Sequence, residues 1–187
     1  MTKSATTHKK HTTTFDTMKK EFGYTSMMQA PRLTKVVVSS GVGSIKDKKR
    51  IEFIEGRLTR ITGQAPATRG AKKSVAAFKI RTGDPAGFQT TLRGERMQSF
   101  FDKLIHIVIP RIKDFRGIKP ETIDEMGNIT IGIKEHTVFP ETADEDAKDV
   151  FGLAITIATT AKNKKEAEAF LRHVGVPIRE VGSTSKK

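Results

Sequence analysis

"QAPATRGAKKSVAAFKIRTGDPAGFQTTL", residues Gln64 to Leu92, is the stretch on which the fold turns. "APATR", "FKIR" and "FQTTL" have the extended character of strands, and Gly-Asp-Pro-Ala-Gly, residues 83–87, is a turn signal. The segment therefore reads as a long hairpin, which pairs its strands antiparallel, with a basic arm over residues 69–87. From Gly56 to Gly83 there are seven Lys or Arg and no Asp or Glu. These cations alternate with Ala, Val, Phe78 and Ile80, and an exposed loop gains nothing from apolar residues unless they touch a partner.

Working outward, "LTKVVVSSGVG", residues 33–43, is a β-branched run closed by glycines: a buried strand and then a turn. Ile51, Ile54, Leu58 and Ile61 recur at helical spacing, and Gly63 marks the stop of that helix. Downstream, Met97, Phe101, Leu104, Ile105 and Val108 share one helical face, which Pro110 ends or kinks. Ile129, Ile131 and Ile133 alternate as in a half-buried strand, and so do Leu153, Ile155 and Ile157. Asn163 and Glu166 make a capping-box-like start for a last helix, which Gly175 and Pro177 stop. The expected architecture is α+β: a mainly antiparallel sheet with helices packed on one face, leaving the other face and the basic hairpin loop free to bind. Residues 1–14, rich in Thr, Lys and His, read as a disordered basic tail, residues 15–179 as a single domain, and residues 180–187 as a flexible tail.

Charge names the class of partner. The chain of 187 residues has 34 Lys plus Arg against 21 Asp plus Glu, a net +13 and a pI near 10.0. Such an excess implies a polyanion, either nucleic acid or an anionic membrane. The apolar runs "LIHIVIP" and "FGLAITIA" fall short of the ~20 residues a bilayer span needs, and the N-terminus lacks the apolar middle of a secretory signal. The cation-rich segment is broken by glycines, which disfavours a membrane-lying helix. The absence of cysteine suits a reducing, cytoplasmic setting. Between Glu121 and Asp149 nine acids face two lysines, a local −7 that leaves +20 for the rest.

Catalytic and metal constellations are weak. "GVGSIK" has Lys46 where a dinucleotide fingerprint needs its third glycine. Of the five histidines only His8 and His11 stand close together, and "TLRGER" serves as an ordinary helix start. No metal and no cofactor are expected. RNA is favoured over DNA because the cations lie on predicted strands and a loop rather than on a helix that enters a major groove. A sheet face with Ser39, Ser40, Gln64, Thr90, Thr91 and Arg93 suits the shallow, hydroxyl-lined minor groove of RNA. The alternatives are a nucleic-acid-modifying enzyme on a basic α+β scaffold and a standalone RNA chaperone.

Six segments carry a resemblance: "PRLTKVVVSSGVG", "ITGQAPATRGAKKSVAAFKIR", "TLRGERMQSFFDKL", "PRIKDFRGI", "GNITIGIKEHTVFPE" and "ITIATTAKNKKEAEAFLRHVGVP". In this order, over roughly Phe15 to Arg179, they resemble the bacterial form of the universal fifth-protein family of the large ribosomal subunit. The resemblance implies a structural RNA-binding protein rather than an enzyme, working in the cytoplasm on the ribosome. It implies binding of 5S rRNA in the central protuberance, through Arg32, Ser39, Ser40, Gln64, Arg69, Thr91 and Arg93. It implies contact with the peptidyl-site tRNA through Lys72, Lys73, Ser74, Phe78, Lys79 and Arg81. Glu141, Asp144, Glu145 and Asp146 are the expected contact to small-subunit ribosomal protein thirteen at an inter-subunit bridge, and 23S rRNA and neighbouring central-protuberance proteins complete the partners. Ser39 and Ser40 stand where the family usually has Asn and then Met or Gln, and Ala65 stands where a Lys is usual.

Overall fold

The computed structural model describes residues 4–45, 47–143 and 149–179, with residues 4–12 as backbone only. Contacts divide the chain into two compact units. The first takes in the described parts of Met1–Val36, Arg93–Ile131 and Thr156–Lys187, and the second those of Val37–Leu92 and Gly132–Ile155. A single domain over 15–179 was the expectation. The elements are α1 (Ser4–Phe22), β1 (Leu33–Gly41), α2 (Lys48–Thr62), β2 (Ala67–Gly70), β3 (Pro85–Leu92), α3 (Gly94–Lys103), β4 (Ile129–Ile133), β5 (Leu153–Thr159) and α4 (Lys164–Val174). The strands form one antiparallel sheet in the order β2-β3-β1-β5-β4, and β1, β4 and β5 each pass from one unit into the other. This is the α+β class expected from the hairpin.

In the second unit, the side of the sheet bearing Val38 and Ser40, with Phe88, Thr90 and Leu92, is buried. The helix α2 packs there, burying Ile54, Leu58 and Ile61, each worth ~1.5–3 kcal/mol of transfer free energy. Asp47 caps its start by accepting the Lys49 N–H at 3.0 Å. Gly63 ends it in the left-handed region at φ 69°, donating its N–H to the Thr59 carbonyl. Beyond β4, buried His136 stacks on Phe151 at 4.2 Å and meets Phe53 edge-on.

In the first unit, α3 does not stop before Pro110. Its turn widens to π register over Leu104–Val108, with the Ile109 N–H bonded to the Leu104 carbonyl, and an α-turn continues to Arg111. The wider turn accommodates a ring that would collide with the His106 carbonyl in α register. The start of α4 also departs from the expected box. Asn163 makes no side-chain cap; Glu166 accepts the Lys162 N–H at 2.6 Å with Oε2 and the Tyr24 hydroxyl with Oε1. Burial, and then that bond to Glu166, push the Tyr24 hydroxyl well above its ordinary range.

The helix α1 runs through most of the stretch that composition reads as a tail. Its later turns are anchored where Thr14, only 1% exposed, and Met18 are buried, and Thr13 Oγ1 lies 3.4 Å from His173 Nε2 on α4. Residues 180–187, read as a second tail, lie outside the described residues.

Candidate nucleic-acid interface

The register of β2 on β3 sets the open side of the second unit. Ala67 pairs with Gln89 and Arg69 with Gly87, so these four residues share a side with Thr91. On β1 the same alternation turns Val37 and Ser39 away from buried Val38 and Ser40. The result is a surface of mostly small or polar side chains, with Arg69 fixed across it: its Nε donates to Gln89 Oε1 at 2.9 Å. Gly87 is required for the close approach of β3 to β1, because a Cβ there would sit 2.8 Å from the Ser40 carbonyl oxygen.

Of the residues singled out in the sequence, the open side of the second unit brings together Ser39, Arg69 and Thr91. Ser40 does not join them. It is 4% exposed on the covered side, where its hydroxyl donates to the Gly152 carbonyl at 2.8 Å. Thr90 is likewise buried on the covered side, and its hydroxyl has no partner. Strand alternation is the physical reason in both cases: adjacent residues cannot share a face. Gln64 lies half-buried in the turn after α2, its backbone N–H and carbonyl both bonded to the Thr62 hydroxyl. Arg32 and Arg93 are exposed and belong to the first unit. The Arg32 backbone donates to the Thr160 hydroxyl and accepts the Thr160 N–H, and Arg93 precedes α3. Sequence reading missed Gln89, although its place two residues before Thr91 in an alternating strand is signal enough.

The arm between β2 and β3 is closed at its root by Ala71 and Asp84, whose N–H and carbonyl pair at 2.8 Å. Further out, Val75 and Ile80 exchange backbone bonds of 3.0 and 3.3 Å, and Ser74 Oγ donates to the Ile80 carbonyl. The tip is a 3₁₀ turn over Ala76–Phe78 followed by Lys79 at φ 54°, not the strand that "FKIR" suggested. Lys72, Lys73, Lys79 and Arg81 are exposed, and Phe78 is 74% exposed among them. Asp84, the acid nearest these cations in sequence, has its Oδ2 taken by the Arg81 backbone N–H at 2.7 Å. The arm thus offers cations and an uncovered aromatic ring, the pairing that holds unstacked bases and phosphates.

Glu141 is exposed in the turn Pro140–Thr142, while Asp144, Glu145 and Asp146 lie outside the described residues. Among the described residues no group of three or more His, Cys, Asp or Glu is placed to hold a metal ion, and no helix is long and apolar enough to cross a membrane.

Known proteins give the surface its family. Residues 26–81 match the family model described as Ribosomal protein L5, and residues 85–178 match the model for the C-terminus of the same ribosomal family. The boundary between the two matches falls inside the arm. The chain is 46% identical over 165 residues to the large ribosomal subunit protein uL5 of Ureaplasma urealyticum serovar 10, covering 88% of this chain and 90% of that one. It is 46% identical to the uL5 proteins of Anaeromyxobacter sp. (strain K), covering 86% of this chain and 90% of that one, and of Heliobacterium modesticaldum, covering 87% and 91%. With relatives this similar along nearly their whole length, the chain belongs to the ribosomal protein L5 family.

Proposed function

We propose that the chain is a structural, non-catalytic constituent of the large ribosomal subunit that binds 5S rRNA. In this reading the open side of the second unit is the 5S surface, with Arg69, Ser39 and Thr91 as its polar contacts. The arm reaches the peptidyl-site tRNA with Lys72, Lys73, Lys79, Arg81 and Phe78. The observation that carries the reading is that Ala67, Gly87, Gln89, Thr91, Ser39 and Arg69 share one open side of the sheet. The small residues Ala67, Gly87 and Ser39 let a shallow RNA groove approach the sheet, and hydroxyl and amide groups meet riboses without reading bases. Counterion release from phosphates then supplies most of the affinity. Contacts with 23S rRNA, and with small-subunit protein thirteen through Glu141 and the acidic stretch after it, complete the assembly.

The test is binding of the full chain to a 5S transcript and to an unrelated folded RNA of equal length. A preference for 5S is expected, with Arg69→Ala reducing it by about tenfold, roughly 1.4 kcal/mol. The double change Lys72→Ala with Lys73→Ala should spare 5S binding and weaken tRNA retention on assembled ribosomes. Equal loss of 5S binding in both variants, or no preference in the unsubstituted chain, overturns the reading.

A further inference from the structure

The open side and the arm leave a second basic stretch without a task. From Arg111 to Lys119 the chain reads "RIKDFRGIK", four cations with Asp114 as the one acid. This loop belongs to the first unit, and all four cations are exposed or half-exposed at the surface. Among the described residues none of the four forms an ion pair. Apolar residues recur at every third position: Ile112 and Phe115 are half-buried and Ile118 is buried, so Arg111, Lys113, Arg116 and Lys119 are left facing water.

The backbone is pinned rather than loose. Ile118 pairs parallel with Ile178; its N–H donates to the Pro177 carbonyl at 2.8 Å, and its carbonyl accepts from the Arg179 N–H at 2.8 Å. Gly117, at φ 89°, passes so close to Arg179 that an added Cβ would lie 3.3 Å from its backbone nitrogen. Asp114 turns the chain at φ 57°. A rigid loop cannot spread its charges apart, so their mutual repulsion persists until an anion arrives. The cations follow one another at intervals of two or three residues, at most about 7 to 11 Å of chain. That spacing suits a polymer of repeated anions better than one carboxylate.

We infer that the Arg111–Lys119 loop is a second RNA-backbone contact, carried on the first unit and separate from the open side and arm of the second. It neutralises phosphodiester groups and reads no bases, and because its backbone is already ordered it loses little entropy on binding. The inference rests on the reading of the chain as an rRNA-binding protein.

The experiment titrates the full chain against salt with two probes in separate arms, a 5S transcript and a large-subunit rRNA transcript. The variant R111Q/K113Q/R116Q/K119Q should keep its melting temperature and lower the salt slope by about 3 to 3.5 on the transcript the loop touches, at about 0.7 to 0.9 for each of the four lost phosphate contacts. Asp114→Asn keeps a residue type tolerant of the left-handed turn and removes the loop's acid. It should tighten binding to the same transcript by about twofold or more, a gain that misfolding cannot produce. Unchanged slopes on both transcripts, or no tightening by Asp114→Asn on either, overturn the loop assignment while RNA binding itself stands. Failure of the unsubstituted chain to bind either transcript instead sinks the underlying function.

Discussion

The arm at 71–84 and the loop at 111–119 each carry four cations and one acid, yet they dispose of their apolar residues in opposite directions. In the arm, Val75 and Phe78 face water. In the loop, Ile112, Phe115 and Ile118 turn toward the protein. Equal charge therefore serves two kinds of presentation: one segment shows a ring together with its cations, and the other uses its apolar side chains to hold cations still. An outward apolar residue adds little to folding stability, and an inward one adds little to contact with a partner.

That contrast fails most visibly at Ile118. Ile118→Ala should destabilise the chain by about 2 to 3 kcal/mol through lost burial and a partial cavity, lowering the melting temperature by roughly 5 to 10 °C. A thermal melt that shifts by less than a degree would mean the loop is not anchored through this side chain. A smaller effect is expected elsewhere in the same unit, where Tyr24 donates to Glu166. Tyr24→Phe should cost about 1.5 kcal/mol near neutral pH, the loss of a hydrogen bond to a charged acceptor. The folded state holds the Tyr24 proton more tightly than the unfolded chain does. Its contribution is therefore fully present below about pH 10 and fades as pH rises above it. The stability gap between parent and Tyr24→Phe should narrow over that alkaline range, and a gap constant with pH would count against the bond. The smallest stability effect is expected at the arm tip: Phe78→Ala should change the melt by no more than about 0.5 kcal/mol, while reducing tRNA retention. If it destabilises as strongly as Ile118→Ala, the arm is a structural element and the contrast collapses.

Much of this was legible in the chain, because burial follows strand and helix periods closely. Alternation placed β4 and β5, the spacing of Ile54, Leu58 and Ile61 placed α2, and glycines 63 and 175 stand where the helices end. Three features were not legible, each for a physical reason. The Thr, Lys and His that open α1 give no apolar period to read, and the buried Thr14 and Met18 fall in its later turns. Alternating Phe78, Lys79 and Ile80 imitates a strand, but two facing strands this short cannot hold a ladder, and the tip closes as a 3₁₀ turn. Ser40 was grouped with Ser39 on chemistry alone, although the strand period puts them on opposite faces. The stretch 110–118 carries part of the family resemblance, but its cations suggest no role in the sequence because their repeat of about three belongs to neither a helix nor a strand.

The chain threads the two units alternately, and this governs the order in which the protein can be completed. The second unit lacks Gly132–Ile155 when Val37–Leu92 leaves the ribosome that makes it, and the first unit lacks everything from Thr156 onward until after the second has been made in full. Neither unit can fold as a finished piece while the rest is still being made, unlike domains that are continuous in sequence. During that interval β1, flanked by β3 on one side, waits with its other edge unpaired, because β5 is made after it. A nascent chain of this design is exposed to mispairing and aggregation until β5 emerges, so the timing of its translation is part of how it reaches its native form.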